Sequence, residues 1–166
     1  MNRELHIVGF QVGRETYGVP ITSLHEIVRV PEITAVPDAP DYLEGVINLR
    51  GKIVSVMDLR KRFGDKKAAI TKTNRILVVE HSAKLAGLIV DSASEVLKIA
   101  AENVEPPPAA FQEGGLNCVT GLGKVDGRLI VLLDMTKLLA PASLKQQNGK
   151  AENKNDKAEA RAAAGR

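Results

Sequence analysis

Alternation of apolar and polar residues divides most of the chain into short segments that predict β-strands. Leu5 to Val12 has the pattern of a strand, and a turn separates it from a second short strand, Tyr17 to Ile21. Two further apolar segments, Val46 to Arg50 and Lys52 to Met57, flank Gly51 and predict a hairpin that turns at this glycine. Many short strands joined by turns favour small antiparallel barrels, because closure of a sheet removes exposed strand edges.

The hairpin is repeated 76 residues later, over residues 121–139. At this offset four pairs are identical: Gly45/Gly121, Gly51/Gly127, Asp58/Asp134 and Lys61/Lys137. An earlier part of the chain repeats at an offset of 69 residues, as in Glu26/Glu95. Two registers in the same order indicate duplication of a unit of about 70 residues. We therefore expect two pseudo-equivalent modules, at about 14–64 and 72–140. The N-terminal strand is a candidate for a strand that both modules share. We also expect a binding site at the seam between the modules.

An aspartate follows each hairpin and precedes a short helical segment. We interpret Asp58 and Asp134 as N-caps, which accept hydrogen bonds from the backbone amides of the first turn. A pair of catalytic carboxylates is the alternative, and equivalent positions in a repeat make it the less favoured one. Ser23 predicts a further short helix through Val28, with Glu26 at the third position after the cap as in a capping box.

The composition is that of a folded chain with an uneven distribution of charge. Hydrophobic residues make up 44% of the 166 residues, and no apolar run reaches the ~18 residues that a membrane span needs. Residues 1–144 hold equal numbers of acidic and basic residues, so the excess charge of +3 lies in residues 145–166. We expect a domain over 1–144 and a disordered basic tail over 145–166, because the tail lacks large apolar residues. The start of the chain lacks the pattern of a signal peptide, which predicts a cytoplasmic protein.

The sequence offers little for catalysis or metal binding. His6, His25 and His81 have no second ligand at the spacing of a metal site. Cys118, the single cysteine, has no neighbour in the sequence that would lower the pKa of its thiol. We therefore predict a protein that is not an enzyme and that needs no metal or cofactor.

Two charged residues stand within apolar segments, Glu26 in Leu24–Val28 and Arg50 at the tip of the first hairpin. One interpretation is that each acts locally, Glu26 as a cap partner and Arg50 as a solvated turn residue. The alternative pairs the two side chains at the surface of the module and fixes the hairpin against the predicted helix that contains Glu26. A partly exposed ion pair adds little to stability, so such a pair would act chiefly by positioning a surface.

Segments from both halves of the chain carry a resemblance to a known family; they are Tyr17–Val28, Val36–Gly64, Ala86–Asp91, Glu95–Leu97 and Thr120–Gly123. Together they resemble the CheW family of chemotaxis coupling proteins. The resemblance extends over about residues 5–140 and is most specific at Asn48-Leu-Arg-Gly51.

The resemblance implies a mainly β fold of two pseudo-symmetric five-stranded SH3-like barrels, packed over a shared hydrophobic seam and with few short helices. It also implies a signal-transduction adaptor without catalytic activity. Proteins of this family connect the cytoplasmic tips of membrane chemoreceptors, the methyl-accepting chemotaxis proteins, to the regulatory domain of the histidine kinase CheA. Such a protein is recruited from the cytoplasm to membrane-associated chemoreceptor arrays and does not insert into the membrane.

The resemblance also implies binding residues, since the receptor tip of this family docks at the groove between the modules. The matching positions for receptor binding are Leu24, Glu26, Gly45 and Arg50, with Asn48 and Leu49 on the same hairpin. Proteins of the family join the kinase through their second module. The lone aromatic residue of the Pro106–Gly115 insertion, Phe111, is a candidate for this kinase contact, or alternatively a lid over the second barrel.

Two other functions remain open at this point. A small barrel with a basic tail suits a nucleic-acid-binding protein, although the chain offers few aromatic residues for base stacking and no excess of basic charge outside the tail. The second alternative is a coupling protein of a pilus-type chemosensory system, which the residues do not separate from a flagellar one.

Overall fold

The computed structural model describes residues 3–40, 42–65, 67–112 and 118–139, which form two β-sheets. The first sheet has six strands: β1 (Glu4–Val12), β2 (Glu15–Pro20), β8 (Ser92–Ala100), β9 (Val104–Glu105), β10 (Val119–Val125) and β11 (Arg128–Leu133). The second has five: β3 (Leu24–Arg29), β4 (Leu43–Leu49), β5 (Lys52–Asp58), β6 (Arg75–His81) and β7 (Lys84–Val90). The helices are short: α1 (Leu59–Arg62), α2 (Met135–Leu138) and the 3-10 turns Ile21–Ser23, Ala101–Asn103 and Ala109–Gln112. The predicted mainly β fold with few short helices is confirmed.

The two sheets have the same topology. Their strand orders are β8-β1-β2-β11-β10-β9 and β3-β6-β7-β5-β4. In each sheet one pair is parallel, β2 with β11 and β5 with β7, and the other pairs are antiparallel. Where the first sheet adds β9, the second has only an isolated bridge between Thr34 and Val46. The duplication that the sequence indicated is therefore present in the strand pairing.

The predicted limits of the two modules in the sequence do not coincide with the division of the strands between the two sheets. Strands β6 and β7, which the limits assigned to the second module, pair in the sheet of β3, β4 and β5. Strands β1 and β2 conversely complete the sheet of β8 to β11, so the N-terminal strand lies among strands of the second repeat. Each repeat thus gives its first two strands to the opposite sheet. Similarity between two segments identifies equivalent strands, and it carries no information about which strands pair.

Three apolar clusters make up the interior. One cluster lies inside the five-stranded sheet and takes residues from all of its strands, including Ile47, Val54 and Ile76. We call it the first barrel interior, because the first hairpin belongs to this sheet. The second barrel interior lies in the six-stranded sheet around Ile99 and Ile130. The third and largest cluster, the seam, takes side chains from both sheets. Strands can serve two clusters at once because their successive side chains point to opposite faces, and the predicted shared seam is confirmed.

Both aspartates act as helix caps, as predicted. Asp58 Oδ1 accepts a hydrogen bond from the amide of Arg60 at 2.9 Å. Asp134 Oδ1 accepts from the amides of Thr136 at 2.8 Å and Lys137 at 3.4 Å. Caps of this kind stabilise a protein by about 1 kcal/mol each. Because each aspartate starts a helix, β5 and β11 end at equivalent points in the two repeats.

The helix predicted from Ser23 to Val28 is wrong. Ser23 ends a single 3-10 turn, and the residues after it form β3, whose side chains alternate between half-buried and exposed positions. Strand β3 pairs with β6 over its whole length. The β-branched residues Ile27 and Val28 suit a pleated surface, so pairing with a distant strand prevailed over a local capping signal. Among the described residues no helix is long and apolar enough to cross a membrane.

Candidate functional site

The first hairpin, β4 to β5, turns through two residues, Arg50 and Gly51. Leu49 pairs with Lys52, and the intervening residues have φ angles of 51° and 87°. Positive φ at both positions is typical of a turn whose twist matches that of the flanking strands. Asn48 Oδ1 accepts a hydrogen bond from the amide of Gly51 at 2.8 Å, which ties the turn to the strand before it. The turn therefore presents the Arg50 side chain at a defined place on the surface.

Arg50 forms a two-pronged ion pair with Glu26 of β3. Its Nη2 donates to Glu26 Oε1 at 2.8 Å, and its Nη1 donates to Oε2. The hydrogen bond from Arg50 lowers the pKa of the Glu26 carboxyl below its ordinary value, and the carboxylate in turn raises the pKa of Arg50. Of the two interpretations of these residues, the pairing is confirmed; Glu26 lies in a strand and does not cap a helix, whereas Arg50 is both a largely exposed turn residue and a partner in the pair. Forked arginine–carboxylate contacts fix orientation as well as charge.

The pair also joins two strands that do not bind each other through their backbones. In the pairing order of the five-stranded sheet, β3 and β4 are the outermost strands. Contact between Glu26 on β3 and the turn that follows β4 brings these edges together around the first barrel interior. The pair is partly accessible, since the side chain of Arg50 is 70% exposed and that of Glu26 21%. It therefore closes the barrel wall and displays a guanidinium at the same point.

The remaining predicted residues have structural positions. Gly45 has a φ of 146°, and a Cβ atom placed there would lie 2.0 Å from the carbonyl oxygen of Thr34. Thr34 and Val46 exchange two backbone hydrogen bonds of 2.9 Å, so the absence of a side chain at Gly45 lets this loop lie on β4. Leu24 is half-buried against the seam, and Leu49 against the first barrel interior. The structure thus brings Glu26, Asn48 and Arg50 together at the surface and places the other three in packing roles.

A groove between the two sheets lies apart from the hairpin tip. One part has a volume of about 390 Å³ and is lined mainly by β5, β7 and the turn between β6 and β7, with Thr136 of α2 and Leu139 after it on the other side. A second part of about 390 Å³ is lined by β1, β2 and β11. A smaller concavity shares Thr136 with the first part and Thr120 with the second, so the three are adjacent, and we refer to them together as the seam groove.

The groove residues were missed by the sequence analysis. None of the six predicted receptor-binding residues is among the described residues that line this groove. The only signal for its lining is the repeat itself, in which Met57 and Leu133 are the equivalent apolar residues before each aspartate. The β6–β7 turn beside it carries Ser82 and Ala83 at φ angles of 55° and 66°, without the glycine or asparagine that identifies such turns.

The chemistry of the described residues does not nominate a reaction. The structure, within the ranges it describes, holds no group of three or more His, Cys, Asp or Glu side chains that suits a metal ion. Cys118 is buried, and burial raises the pKa of its thiol, which lowers the fraction of reactive thiolate. The features that stand out are a displayed ion pair and an apolar groove, and both suit recognition of another protein.

Three predicted features lie wholly or partly outside the described residues. Phe111 belongs to the 3-10 turn Ala109–Gln112, but its side chain is not among those described. Its assignment to the kinase contact, or to a lid, stays a prediction. The same holds for the disordered tail at 145–166 and for the end of the domain at residue 144.

Comparison with known proteins gives consistent matches. The family model of the CheW-like domain matches residues 6–142. A chemotaxis protein CheW from Helicobacter pylori is 36% identical over 135 residues, which cover 81% of each chain. One from Klebsiella aerogenes is 34% identical over 131 residues, or 79% of each chain. The crystal structure of the scaffolding protein TtCheW from Thermoanaerobacter tengcongensis superposes with a TM-score of 0.76 at 38% identity, covering 85% of this chain and 96% of that one.

Proposed function

The chain belongs to the CheW family, and from that premise we propose that it couples chemoreceptors to the histidine kinase CheA as a non-catalytic adaptor of a chemosensory array. The family match covers residues 6–142, and relatives are named as chemotaxis and scaffolding proteins. The proposed partners are the cytoplasmic tip of a methyl-accepting chemotaxis protein and the regulatory domain of CheA. The proposed location is the cytoplasm, with recruitment to receptor arrays at the membrane.

The observation that carries the proposal is the ion pair at the first hairpin tip. Arg50 has most of its side chain exposed, yet its guanidinium is oriented by the two hydrogen bonds that it donates to the carboxylate of Glu26. An arginine held in this way loses less conformational freedom when a partner binds, and preorganisation of this kind increases affinity. Arginine is also enriched among the residues that dominate protein interfaces. We assign receptor coupling to the surface of Glu26, Asn48 and Arg50.

The seam groove supplies a second contact in this proposal. Its walls are mainly apolar, with Leu43, Met57 and Leu85 on one side and Leu139 on the other. A groove of this character accepts the apolar face of an amphipathic helix, which is one of the recurrent forms of peptide recognition. Leu24, Gly45 and Leu49 contribute by maintaining the barrel that carries the hairpin. Phe111 remains our candidate for the kinase contact.

The nucleic-acid alternative is less well supported. Proteins that bind single strands stack bases on exposed aromatic side chains. Phe10, Tyr17 and Tyr42 are buried in this protein. Tyr17 also stacks with Phe10 and with Phe63, at ring-centroid distances of 6.0 and 5.0 Å. These rings serve the seam cluster and are not available to bases.

Reconstitution tests the proposal directly. Purified protein is mixed with a receptor cytoplasmic fragment and CheA, the complex is sedimented, and phosphotransfer by the kinase is measured. We expect all three proteins in the pellet, and kinase activity that responds to the receptor only when this protein is present. Sedimentation of receptor and kinase without this protein, or activity that does not depend on it, would contradict the coupling role.

A further inference from the structure

A concave, positively charged surface lies at one end of the five-stranded sheet, away from the residues assigned above. Six residues line this basic concavity, which has a volume of about 430 Å³: Arg29, Val30, Thr71, Lys72, Asn74 and Arg75. Three of the six are cationic and none is acidic. Neither the hairpin pair nor the seam groove shares a residue with it.

Two of its arginines oppose each other across a strand pair. Arg29 of β3 and Arg75 of β6 are direct partners in the antiparallel register, and like charges at such positions destabilise a sheet. The neighbour of Arg75 on its other side is Val90, which offers no compensating charge. Among the described residues no carboxylate lies within ion-pairing distance of Arg29, Lys72 or Arg75. No described carboxylate therefore offsets the repulsion between the two arginines.

Hydrogen bonds hold the loop of the concavity from two sides. Arg75 Nη1 donates to the carbonyl oxygens of Lys72 and Asn74, each at 2.8 Å. The buried Asn74 side chain accepts from the amide of Thr71 at 2.7 Å and from Arg60 Nη1 at 3.0 Å. The loop therefore needs little reordering to receive a ligand.

The equivalent strand pair of the six-stranded sheet also has two basic residues opposite each other, but an acidic residue lies beside them. His6 of β1 opposes Lys98 of β8 in the same register, at the positions that correspond to Arg75 and Arg29. There a carboxylate of Glu4 lies 3.9 Å from the His6 ring. Both sheets thus tolerate two basic residues opposite each other, but only the five-stranded sheet carries two permanent charges without an acidic neighbour among the described residues.

We propose that the basic concavity binds the carboxylate side chains of an acidic segment in a partner protein. A guanidinium group binds a carboxylate through two parallel hydrogen bonds, and the half-buried Val30 adds apolar contact that a peptide can use and inorganic phosphate cannot. The tail of this chain is an unsuitable occupant, since residues 145–166 carry six basic and three acidic groups. This third surface goes beyond the receptor and seam contacts, and it does not depend on them.

Titration with a defined peptide tests the proposal on the full-length protein. The probe is a blocked hexapeptide, Glu-Glu-Val-Glu-Glu-Val, and its glutamine counterpart is the charge control; backbone amide shifts are followed by NMR. We expect saturable shifts at Arg29 and Thr71–Arg75 with the glutamate peptide alone. Affinity should fall at least tenfold in the double variant Arg29→Gln, Lys72→Gln and stay unchanged in Lys98→Gln, the matched position of the other sheet. Shifts spread over all basic residues, or equal binding by the double variant, would overturn the proposal.

Two further measurements separate a peptide site from its alternatives. Inorganic phosphate that saturates the same amides at lower concentration than the glutamate peptide would overturn the assignment of the occupant. Thermal unfolding without ligand tests the premise of repulsion: Arg29→Gln should raise Tm by about 1–3 °C, and a lower Tm would refute it. Neither experiment uses receptor or kinase. A negative result for the basic concavity is therefore distinguishable from a failure of the proposed coupling function.

Discussion

The two hairpin tips have the same backbone conformation and differ in charge. Arg50–Gly51 and Asp126–Gly127 have nearly the same φ angles, at 51° and 87° against 50° and 77°. In the first tip Arg50 itself pairs with Glu26. In the second the tip residue is acidic, and Glu95, the equivalent of Glu26, takes a hydrogen bond of 3.1 Å from Arg128 instead. The duplication kept the glycine that the turn needs, whereas the residue before it is basic in one tip and acidic in the other.

The corners after the hairpins diverge in a similar way. Asp58 and Asp134 both cap a helix, but Arg60 lies at the first corner where Thr136 lies at the second. Arg60 is only 4% exposed; it binds both oxygens of Asp58, at 3.0 and 2.9 Å, and the carbonyl oxygen of Ala69 at 2.9 Å. The first corner therefore anchors the linker between the repeats, which the second corner does not have to do.

Removal of Arg60 should have the largest effect on stability. Arg60→Met leaves the buried carboxylate of Asp58 without its cation, so we expect a loss of about 3–5 kcal/mol in the free energy of unfolding. Thr136→Ala, at the equivalent exposed position, should change it by less than about 0.5 kcal/mol. Urea denaturation measures both. The double variant Asp58→Asn, Arg60→Met should recover part of the loss, and similar losses at the two corners would contradict this account.

The two equivalent glycines should respond unequally to a methyl group. Gly45→Ala places a Cβ 2.0 Å from the Thr34 carbonyl oxygen at a positive φ, and we expect it to cost about 2–4 kcal/mol. At Gly121 the nearest atom would be a Val104 methyl at 3.0 Å, so Gly121→Ala should cost about 1 kcal/mol. Thermal unfolding of the two variants compares them. A larger loss of stability in Gly121→Ala than in Gly45→Ala would show that the loop at Thr34 moves aside at little cost in free energy.

Reversal of charge at the first tip should affect coupling and leave the fold intact. Arg50→Glu places two carboxylates together, so receptor-dependent activation of CheA should be abolished while Tm changes little. Asp126→Arg, at the equivalent tip, is the matched control and should couple normally. The charge-swapped double variant Glu26→Arg, Arg50→Glu should recover activation in part, because the pair is restored. Normal coupling by a folded Arg50→Glu protein would remove Arg50 from the binding surface.

The ion pair also predicts a small dependence on pH. Since the pKa of Glu26 is lowered in the folded state, the pair stabilises the protein above the ordinary pKa of a glutamate, and this contribution is lost as pH falls through the lowered value. The difference in Tm between the natural protein and Arg50→Gln should therefore be largest above a pH of about 4.5 and shrink below it. A difference that stays constant down to pH 3 would argue against an ionised pair.

Deletion of the tail should have the smallest effect. Residues 145–166 lack large apolar side chains, so a protein that ends at Leu144 should fold and couple as the full chain does. Circular dichroism and receptor-dependent kinase activity compare the two proteins. A clear loss of activity in the truncated protein would assign a contact to the tail.

The sequence alone determined the local features of this protein. The turns at Gly51 and Gly127, the caps at Asp58 and Asp134 and the duplication itself were all predicted, because each depends on residues that are close in the chain. The conformation of a two-residue turn and the hydrogen bonds of a cap are set by their own residues, whatever the rest of the molecule does. The mainly β fold followed from the same short segments.

Only the tertiary structure decided which segments meet. The exchange of strands between the sheets, the choice of β3 over a helix and the burial of Arg60 all depend on partners that are distant in the chain, as Asn74 is from Arg60 and Ile130 is from Thr16. The Glu26–Arg50 pair stood as one of two interpretations for the same reason, since either residue satisfies its local sequence without the other. An apolar strand has the same pattern for any partner. The free energy of burial over the whole chain selects the partner, and that selection assembles the surface.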